Sequence, residues 1–325
     1  MIKRLLALVF IGALLITSCK SDSDETPTPE KTCKVTQSKT ITIPPNGNGI
    51  IDTTTTTYEY NSQGYPTRQT SISSSYAPIT STLTYNSEGL LTEEVNTGGS
   101  SSDSYRQVNT YTYTGGKLSR EIIKYTSNTS NYVYDFYFNP DGRLSYRAFN
   151  GTSQDINSID SVLYGYTNGK LTSIRERSDR NGNTTNHLYT ITTNEKGFIT
   201  SRTEGSNKQL YQYNSYGEIV RLDMYNGEQL YSYQIYEYDD KKRIDDIINP
   251  LFKAQTSMYQ EGILVHNMTK FVSYNVIPNQ PDSVFYTNTF EYEYGTHGYP
   301  TKVVNKRSWN GEPTTFITTY TFDCQ

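Results

Sequence analysis

A short aromatic motif recurs along most of the chain and limits what it can fold into. Most copies have two aromatic residues separated by one other residue, then a turn that ends in glycine, then an apolar residue. Tandem copies at this spacing indicate a repeat architecture, in which one structural unit is used many times. The turn glycines of the copies are Gly64, Gly89, Gly116, Gly142, Gly169, Gly197, Gly217, Gly262 and Gly298.

The turn residues predict a β-hairpin at each copy. The segment Asn139-Pro140-Asp141-Gly142 suits a type I turn, because Asn caps the turn, Pro presets φ and Gly accepts a positive φ. The pair Asn168-Gly169 predicts a type I′ turn. Lys242 stands where other copies have glycine, so we expect a strained residue or a different turn there. Other Asn, Gly and Pro turns separate the copies, and the spacing predicts about 20 to 22 strands.

This pattern predicts an all-β fold, an antiparallel meander of tandem hairpins. Strand alternation places Tyr58 and Tyr60 on one face of the sheet and Glu59 on the other. Aromatic side chains stabilise a sheet when they pair across strands, so we assign most of the 31 tyrosines to one packed face. A sheet this long must curl, split or close, and closure removes its unpaired edges. We expect a large barrel or a curled sheet.

Two cysteines bear on closure. Cys33 and Cys324 lie near the two ends of the repeat region. In an oxidising compartment they can form a disulfide, which would place the first and last strands side by side. Two free thiols are the alternative, and spacing alone does not choose between them.

The amino terminus predicts an exported protein. Residues 1–18 have the features of a signal peptide, because Lys3 and Arg4 precede an apolar run that is short for a transmembrane helix. The segment Ile16-Thr17-Ser18-Cys19 resembles the lipobox of bacterial lipoproteins, which implies lipid attachment at Cys19 and a membrane anchor. Residues 19–32 predict an extended, lipidated tether, and residues 33–325 a single tyrosine-rich repeat domain.

The acidic residues at the start of the tether resemble a sorting signal. They resemble the export signal that sends Bacteroidetes-type lipoproteins to the outer face of the outer membrane. A plain solvated linker is the alternative interpretation.

The repeat itself resembles known sequences. The copy Tyr211-Gln212-Tyr213-Asn214-Ser215-Tyr216-Gly217-Glu218-Ile219 is similar to the tyrosine-aspartate (YD) repeats of Rhs-type proteins. With the lipobox, it resembles a family of Bacteroidetes lipoproteins of unknown function with a porin-like fold. The resemblance covers about residues 33–325 and implies hairpin architecture without an activity. A barrel in lipid is disfavoured, since the face opposite the aromatics is rich in Thr, Ser, Glu, Lys and Gln.

Composition and motifs argue against several classes of function. Lys plus Arg number 29 against 33 Asp plus Glu, a net charge of −4, which argues against a nucleic-acid partner. The three histidines lie in separate hairpins without a Cys/His cluster, so we predict no metal site and no cofactor. Adjacent carboxylates such as Glu93 and Glu94 face opposite sides of a strand, so no catalytic residue is assigned. Trp309, the single tryptophan, is the candidate for stacking on a ligand.

We therefore expect an outer-membrane lipoprotein, exposed at the cell surface and not an enzyme. It would act as a binding or scaffold module for polysaccharide or an envelope protein. One alternative is a glycan-active hydrolase whose carboxylates come from different hairpins, about 5 to 10 Å apart in a cleft. The other is a purely structural envelope protein.

Overall fold

The described residues of the computed structural model form one sheet of twenty antiparallel strands. These residues are 33–45, 47, 49–99, 105–125, 131–152, 157–180, 182–244, 248, 264–309 and 311–324. The strands are β1 (Cys33–Ile43), β2 (Asp52–Tyr60), β3 (Pro66–Ser73), β4 (Ile79–Tyr85), β5 (Leu91–Gly98), β6 (Tyr105–Thr114), β7 (Lys117–Tyr125), β8 (Asn131–Phe138), β9 (Leu144–Thr152), β10 (Asn157–Thr167), β11 (Lys170–Arg180), β12 (Asn183–Thr193), β13 (Ile199–Glu204), β14 (Asn207–Tyr213), β15 (Ile219–Asn226), β16 (Gln229–Tyr238), β17 (Met268–Asn275), β18 (Ser283–Tyr294), β19 (Pro300–Trp309) and β20 (Thr314–Cys324). The predicted signal peptide and tether, with Cys19, lie outside the described residues, as does Gly262.

The sheet closes on itself into a barrel. Each strand pairs with its neighbours in the chain, and β1 also pairs with β20, from Cys33 opposite Cys324 to Ile43 opposite Thr315. Strand direction alternates along a meander, so the first and last strands can pair antiparallel only when the strand number is even. Twenty strands meet this condition, and the predicted all-β meander and its closure are confirmed. Cys33 and Cys324 form a disulfide where the two strands meet.

The barrel has two unlike ends. We call the end that holds the motif turns, such as the one at Gly64, the glycine end, and the opposite end the far mouth. Strand β1 begins at Cys33 and β20 finishes at Cys324, so both leave from the glycine end. Strand β19 runs the other way, from Pro300 at the glycine end to Trp309 at the far mouth.

The sheet also has two unlike faces. We call the face that carries Tyr58 and Tyr60 the tyrosine face, and the opposite one the outer face. Buried apolar residues of the tyrosine face form two clusters, which contain Val162, Leu171, Ile174, Ile191, Ile199 and Tyr211 in one and Leu83, Leu91, Tyr111 and Leu118 in the other. Side chains converge on the inside of a closed sheet, so the more buried face is the inner one.

A contact across the barrel agrees with this assignment. Gln69, opposite Tyr58 on the tyrosine face of β3, donates from Nε2 to the carbonyl oxygen of Ile248 at 3.3 Å. Ile248 belongs to the link between β16 and β17, and these two strands are seven and six strands away from β3 round the barrel. The tyrosine face therefore lines the lumen. A circular barrel of this strand number would be about 40 Å across between backbones, too wide for side chains alone to fill.

The motif turns have the backbone that their residues require. The eight described turn glycines all have positive φ, between 74° and 95°. Asn168 and Gly169 have φ of 49° and 79°, as a type I′ turn demands. In the longer turns the glycine N–H donates to the carbonyl of an asparagine three residues earlier, at Asn61, Asn86, Asn139, Asn194 and Asn214.

Tyrosine hydroxyls bind neighbouring strands together near the glycine end. Seven phenols each donate to a main-chain carbonyl of an adjacent strand at 2.6 to 2.9 Å. The pairs are Tyr60 with Val35, Tyr85 with Pro66, Tyr113 with Leu91, Tyr166 with Leu144, Tyr213 with Ile199, Tyr238 with Ile219 and Tyr292 with Met268. Each ring thus packs on the inner face while its polar tip is satisfied.

Loss of the disulfide should destabilise the barrel without opening it. The bond closes a loop of 291 residues, so its absence frees the unfolded chain. We expect the double variant Cys33→Ser/Cys324→Ser to lose about 2 to 5 kcal/mol of unfolding free energy in urea, followed by far-UV circular dichroism. The wild type in reducing agent is the control and should match the variant. An unchanged urea midpoint would contradict the prediction.

The tyrosine hydroxyls allow a matched pair of substitutions. Tyr113→Phe removes the bond to Leu91 and should cost about 1 kcal/mol of unfolding free energy. Phe138 holds the same place in the following copy and has no hydroxyl, so Phe138→Tyr should add a bond to the carbonyl of Leu118 and stabilise by up to about 1 kcal/mol. Urea unfolding measures both. Equal destabilisation by the two variants would show that the hydroxyl is not the cause.

Candidate functional site

The residue after each turn glycine normally covers the second aromatic residue of the next copy. Five such contacts have centroid or charge-to-centroid distances of 5.0 to 6.3 Å. The pairs are Tyr65 with Tyr85, Lys117 with Phe138, Arg143 with Tyr166, Phe198 with Tyr213 and Tyr299 with Phe322. The position therefore has one structural task, performed by either an aromatic ring or a cation.

Glu218 occupies this position in one copy, where it accepts hydrogen bonds and does not cover an aromatic ring. Its side chain is fully buried. One carboxylate oxygen accepts hydrogen bonds from the backbone N–H groups of Val265 at 3.0 Å and His266 at 2.7 Å. The other accepts from Asn214 Nδ2 at 2.8 Å and lies 3.1 Å from His266 Nδ1. Glu218 thus fixes the returning end of the link between β16 and β17.

The hydrogen bonds also decide the charge state of this buried group. Burial raises the pKa of Glu218, but the donors from Asn214, His266 and Val265 outweigh it and hold the pKa below its usual range. A buried carboxylate with this many donors stays ionised at neutral pH. Tyr216 packs edge-on against the His266 ring, with centroids 4.6 Å apart.

Asp239 fixes the other end of the same link. Its backbone N–H donates to the carbonyl of Asn267 at 3.0 Å, and its carboxylate accepts from the Asn267 N–H at 3.1 Å. Tyr294 donates its hydroxyl to Asp239. Burial and this bond to a carboxylate raise the pKa of Tyr294.

Lys242, in this link, does not have a positive φ. Among the described residues other than glycine, positive φ is confined to Asn168 and Asn279. The copy uses a longer connection, residues 239–267, in place of a glycine turn. The second of the two expectations for Lys242, a different turn, is the one the structure has.

Two carboxylates from different hairpins lie on the lumen wall. Glu94 of β5 accepts from Asn109 Nδ2 at 3.0 Å and from the Tyr111 hydroxyl at 3.2 Å. Glu121 of β7 is opposite Tyr111 in register. Burial, and then the charge of Glu94, raise the pKa of Glu121. A carboxyl group with a raised pKa beside a second carboxylate is an arrangement that acid–base catalysis can use, although Glu94 is already bonded to buried neighbours.

Trp309 lies on the tyrosine face at the far mouth. It is opposite Tyr286 in register, and its side chain is 65% exposed. Phe285 and Tyr286 meet the indole at 65° and 64°, with centroids 4.4 and 5.6 Å away. Two aromatic neighbours thus contact the indole, and most of Trp309 remains exposed at the far mouth.

Two concave surfaces flank the barrel wall. One cavity of about 350 Å³ lies at the far mouth, where Tyr189, Arg202, Gln209 and Tyr231 contribute to its lining. The Arg202 guanidinium is 3.7 Å above the Tyr189 ring. A second groove of about 620 Å³ follows β6 to β8 near the glycine end.

The outer face is polar and carries ion pairs between neighbouring strands. The pairs are Arg68 with Glu59, Arg120 with Asp135, Lys270 with Glu237, Lys302 with Glu293 and Lys306 with Glu291. Exposed apolar side chains also lie on this face, such as Ile72, and Leu163 beside Tyr146 in register. None of the helical residues that the structure describes belongs to a segment long and apolar enough to cross a membrane.

The site residues predicted from sequence separate into two regions. Eight turn glycines and the Cys33–Cys324 bond shape the glycine end, and Trp309 stands alone at the far mouth. Sequence reasoning missed Glu218. Its signal was available, because a carboxylate follows Gly217 where other copies have an aromatic, an apolar residue or a cation.

Comparison with known proteins gives similar folds only. No protein-family model matches the chain, and no curated protein matches it. A porin-like protein from Bacteroides uniformis is 16% identical, over 89% of this chain and 98% of that chain, with a TM-score of 0.35. A porin-like protein from Bacteroides vulgatus is 9% identical, over 89% and 99% of the two chains, with a TM-score of 0.34. TcdB2-TccC3-TEV is 12% identical, over 82% of this chain but 15% of its own, with a TM-score of 0.30.

Glu218 should make stability depend on pH. Because its folded pKa lies below the unfolded value of about 4.3, the stability it contributes is complete above that value and is lost as pH falls through the folded pKa. Glu218→Gln should lose about 3 kcal/mol at neutral pH, since several bonds to a charged acceptor weaken, and less in acid. Urea unfolding at a series of pH values measures this.

The exposed Glu59 provides the control. Its pair with Arg68 on the outer face spans 3.9 Å, so Glu59→Gln should change stability by less than about 1 kcal/mol. Parallel pH profiles for the wild type and Glu218→Gln would contradict the assignment.

Proposed function

We propose that the protein is a non-enzymatic binding module, held at the outer membrane by lipid on Cys19 and exposed at the cell surface. In this proposal the far mouth of the barrel receives a polysaccharide. An envelope protein as partner, or a purely structural role, are the outcomes that the experiment below separates from it.

The position of the chain ends supports the orientation. The tether precedes Cys33, which leaves the barrel from the glycine end. Residues 19–32 can extend over at most about 50 Å. An anchor at Cys19 would therefore keep the glycine end towards the membrane and turn the far mouth outwards.

The outer face supports a barrel that stands in water. Barrels that span a membrane present an apolar band to lipid. Here ion pairs such as Lys306 with Glu291 and Lys270 with Glu237 lie on that face. The lipid would then serve as an anchor beside the barrel, and the barrel would not itself span the bilayer.

The exposure of Trp309 at the far mouth is the observation that carries the binding proposal. An indole 65% exposed on the inner face, and braced by Phe285 and Tyr286, has its orientation fixed before any ligand arrives. Flat aromatic faces stack on the apolar faces of sugar rings, and preorganisation lowers the entropy cost of binding. The far mouth is thus built like a sugar-stacking platform.

The hydrolase alternative rests on Glu94 and Glu121. Burial and the charge of Glu94 raise the pKa of Glu121, as in carboxyl groups that serve as general acids. Against it, Glu94 already accepts hydrogen bonds from Asn109 and Tyr111. We therefore rank it second, and Glu121→Gln would be its test if any sugar were released.

One experiment on intact cells tests anchor and binding together. The full chain is produced in a Gram-negative host that displays lipoproteins, and labelled host and bacterial polysaccharides are added. We expect Trp309→Ala to remain displayed but bind about tenfold more weakly, and Cys19→Ala to lose display. Tyr137→Ala, which removes an exposed aromatic from the outer face, is the matched control and should bind like the wild type.

Three results would contradict the proposal. A displayed wild type that binds no polysaccharide excludes the glycan ligand. Release of soluble sugars after long incubation favours the hydrolase. Display that survives Cys19→Ala excludes the lipid anchor.

A further inference from the structure

The cationic side chains of strand β19 have different partners on its two faces. On the outer face, Lys302 lies 2.6 Å from Glu293 and Lys306 lies 2.9 Å from Glu291. On the tyrosine face, Arg307 is exposed and forms no ion pair with any carboxylate among the described residues. The two outward-facing lysines of the strand are thus paired with glutamates, whereas the inward-facing Arg307 has no carboxylate partner among the described residues.

Arg307 is nevertheless held in place. Its Nε donates to Asn305 Oδ1 at 2.8 Å, and its guanidinium lies 5.0 Å from the centre of the Phe316 ring. Asn305 is buried and donates in turn to Asn288 and to the carbonyl of Thr289. The N–H groups on Nη1 and Nη2 have no partner among the described residues and remain available as donors.

The register partners of Arg307 on the two neighbouring strands are neutral. Asn288 of β18 and Thr314 of β20 are opposite it in register on the same face. Trp309 follows two residues later, so its side chain lies on the same face about 7 Å farther along the strand. One strand therefore presents an open indole beside an unpaired, oriented guanidinium.

We propose that the far mouth binds acidic polysaccharides, with a uronate ring stacked on Trp309 and its carboxylate bound by Arg307. This deepens the proposed function and rests on it. A planar guanidinium binds a carboxylate through two parallel hydrogen bonds, which a hydroxyl or an ester does not match. The stacking contact selects a sugar ring, and the guanidinium selects its charge.

A pair of polymers isolates the carboxylate. Polygalacturonate and its fully methyl-esterified form have the same rings and linkages and differ in charge. The purified lipidated full chain, kept in neutral detergent, is titrated with each polymer. We expect at least tenfold tighter binding of the acid form, and a preference that weakens as ionic strength rises.

Substitutions assign the preference to one residue. Arg307→Gln should reduce the difference between the two polymers to less than about twofold, and Arg307→Lys should keep part of it, because the charge remains but the fork is lost. Lys306→Gln, one residue away on the outer face, is the matched control and should keep the wild-type preference. Trp309→Ala should weaken both polymers. Thermal unfolding checks that the variants fold.

The outcomes separate this inference from the proposed function. Equal binding of both polymers by the wild type, or an unchanged preference in Arg307→Gln, overturns the role of Arg307 while binding at Trp309 stands. Binding of a neutral polysaccharide alone has the same meaning. If no polysaccharide binds, the proposed function and the inference fall together.

Discussion

The pairing of β1 with β20 is the contact on which the rest of the barrel depends. A sheet of twenty strands that stayed open would expose two long edges of unpaired N–H and C=O groups, ready to pair with other chains. Closure satisfies these groups and gives the sheet an inside, where tyrosine and leucine side chains are brought together by curvature. The disulfide at Cys33 and Cys324 joins the strands at the point where closure begins.

Repetition makes the departures from the pattern informative. Most copies place a ring or a cation after the turn glycine, and that side chain covers the next copy. Glu218 instead turns to the backbone of Val265 and His266, and Asp239 closes the same link from its other end. The two acids thus stabilise an irregular connection that the repeat alone would not support.

Much of the fold was predictable because the signals are local. The turn glycines, the alternation of aromatics and the copy spacing each depend on a few neighbouring residues, and together they gave the strand number and the antiparallel meander. Closure was left open, because it depends on strand parity and on a contact between residues 291 positions apart. The turn near Lys242 was left open for a similar reason, since its partner, Asn267, is 25 residues away.

The candidate site was predictable only in part. The type of Trp309 and its place beside a turn make it a candidate, but its face follows from the register of β18 with β19, which shifts at Thr301 of β19. Arg307 carried no signal of its own. What sets it apart is a difference between two faces of one strand, where Glu291 and Glu293 pair with the lysines and the neutral Asn288 and Thr314 are the register partners of the arginine.

Because the first and last strands are neighbours, the order of strands round the barrel is cyclic. A circularly permuted chain, with residue 324 joined to residue 33 and new termini at a far-mouth turn, would keep every strand pairing of the native barrel. The same set of neighbouring strands could therefore form from a chain that connects them in a different order. What the native order adds is polarity: it places Cys33 and Cys324, the two ends of the described sheet, on the same rim.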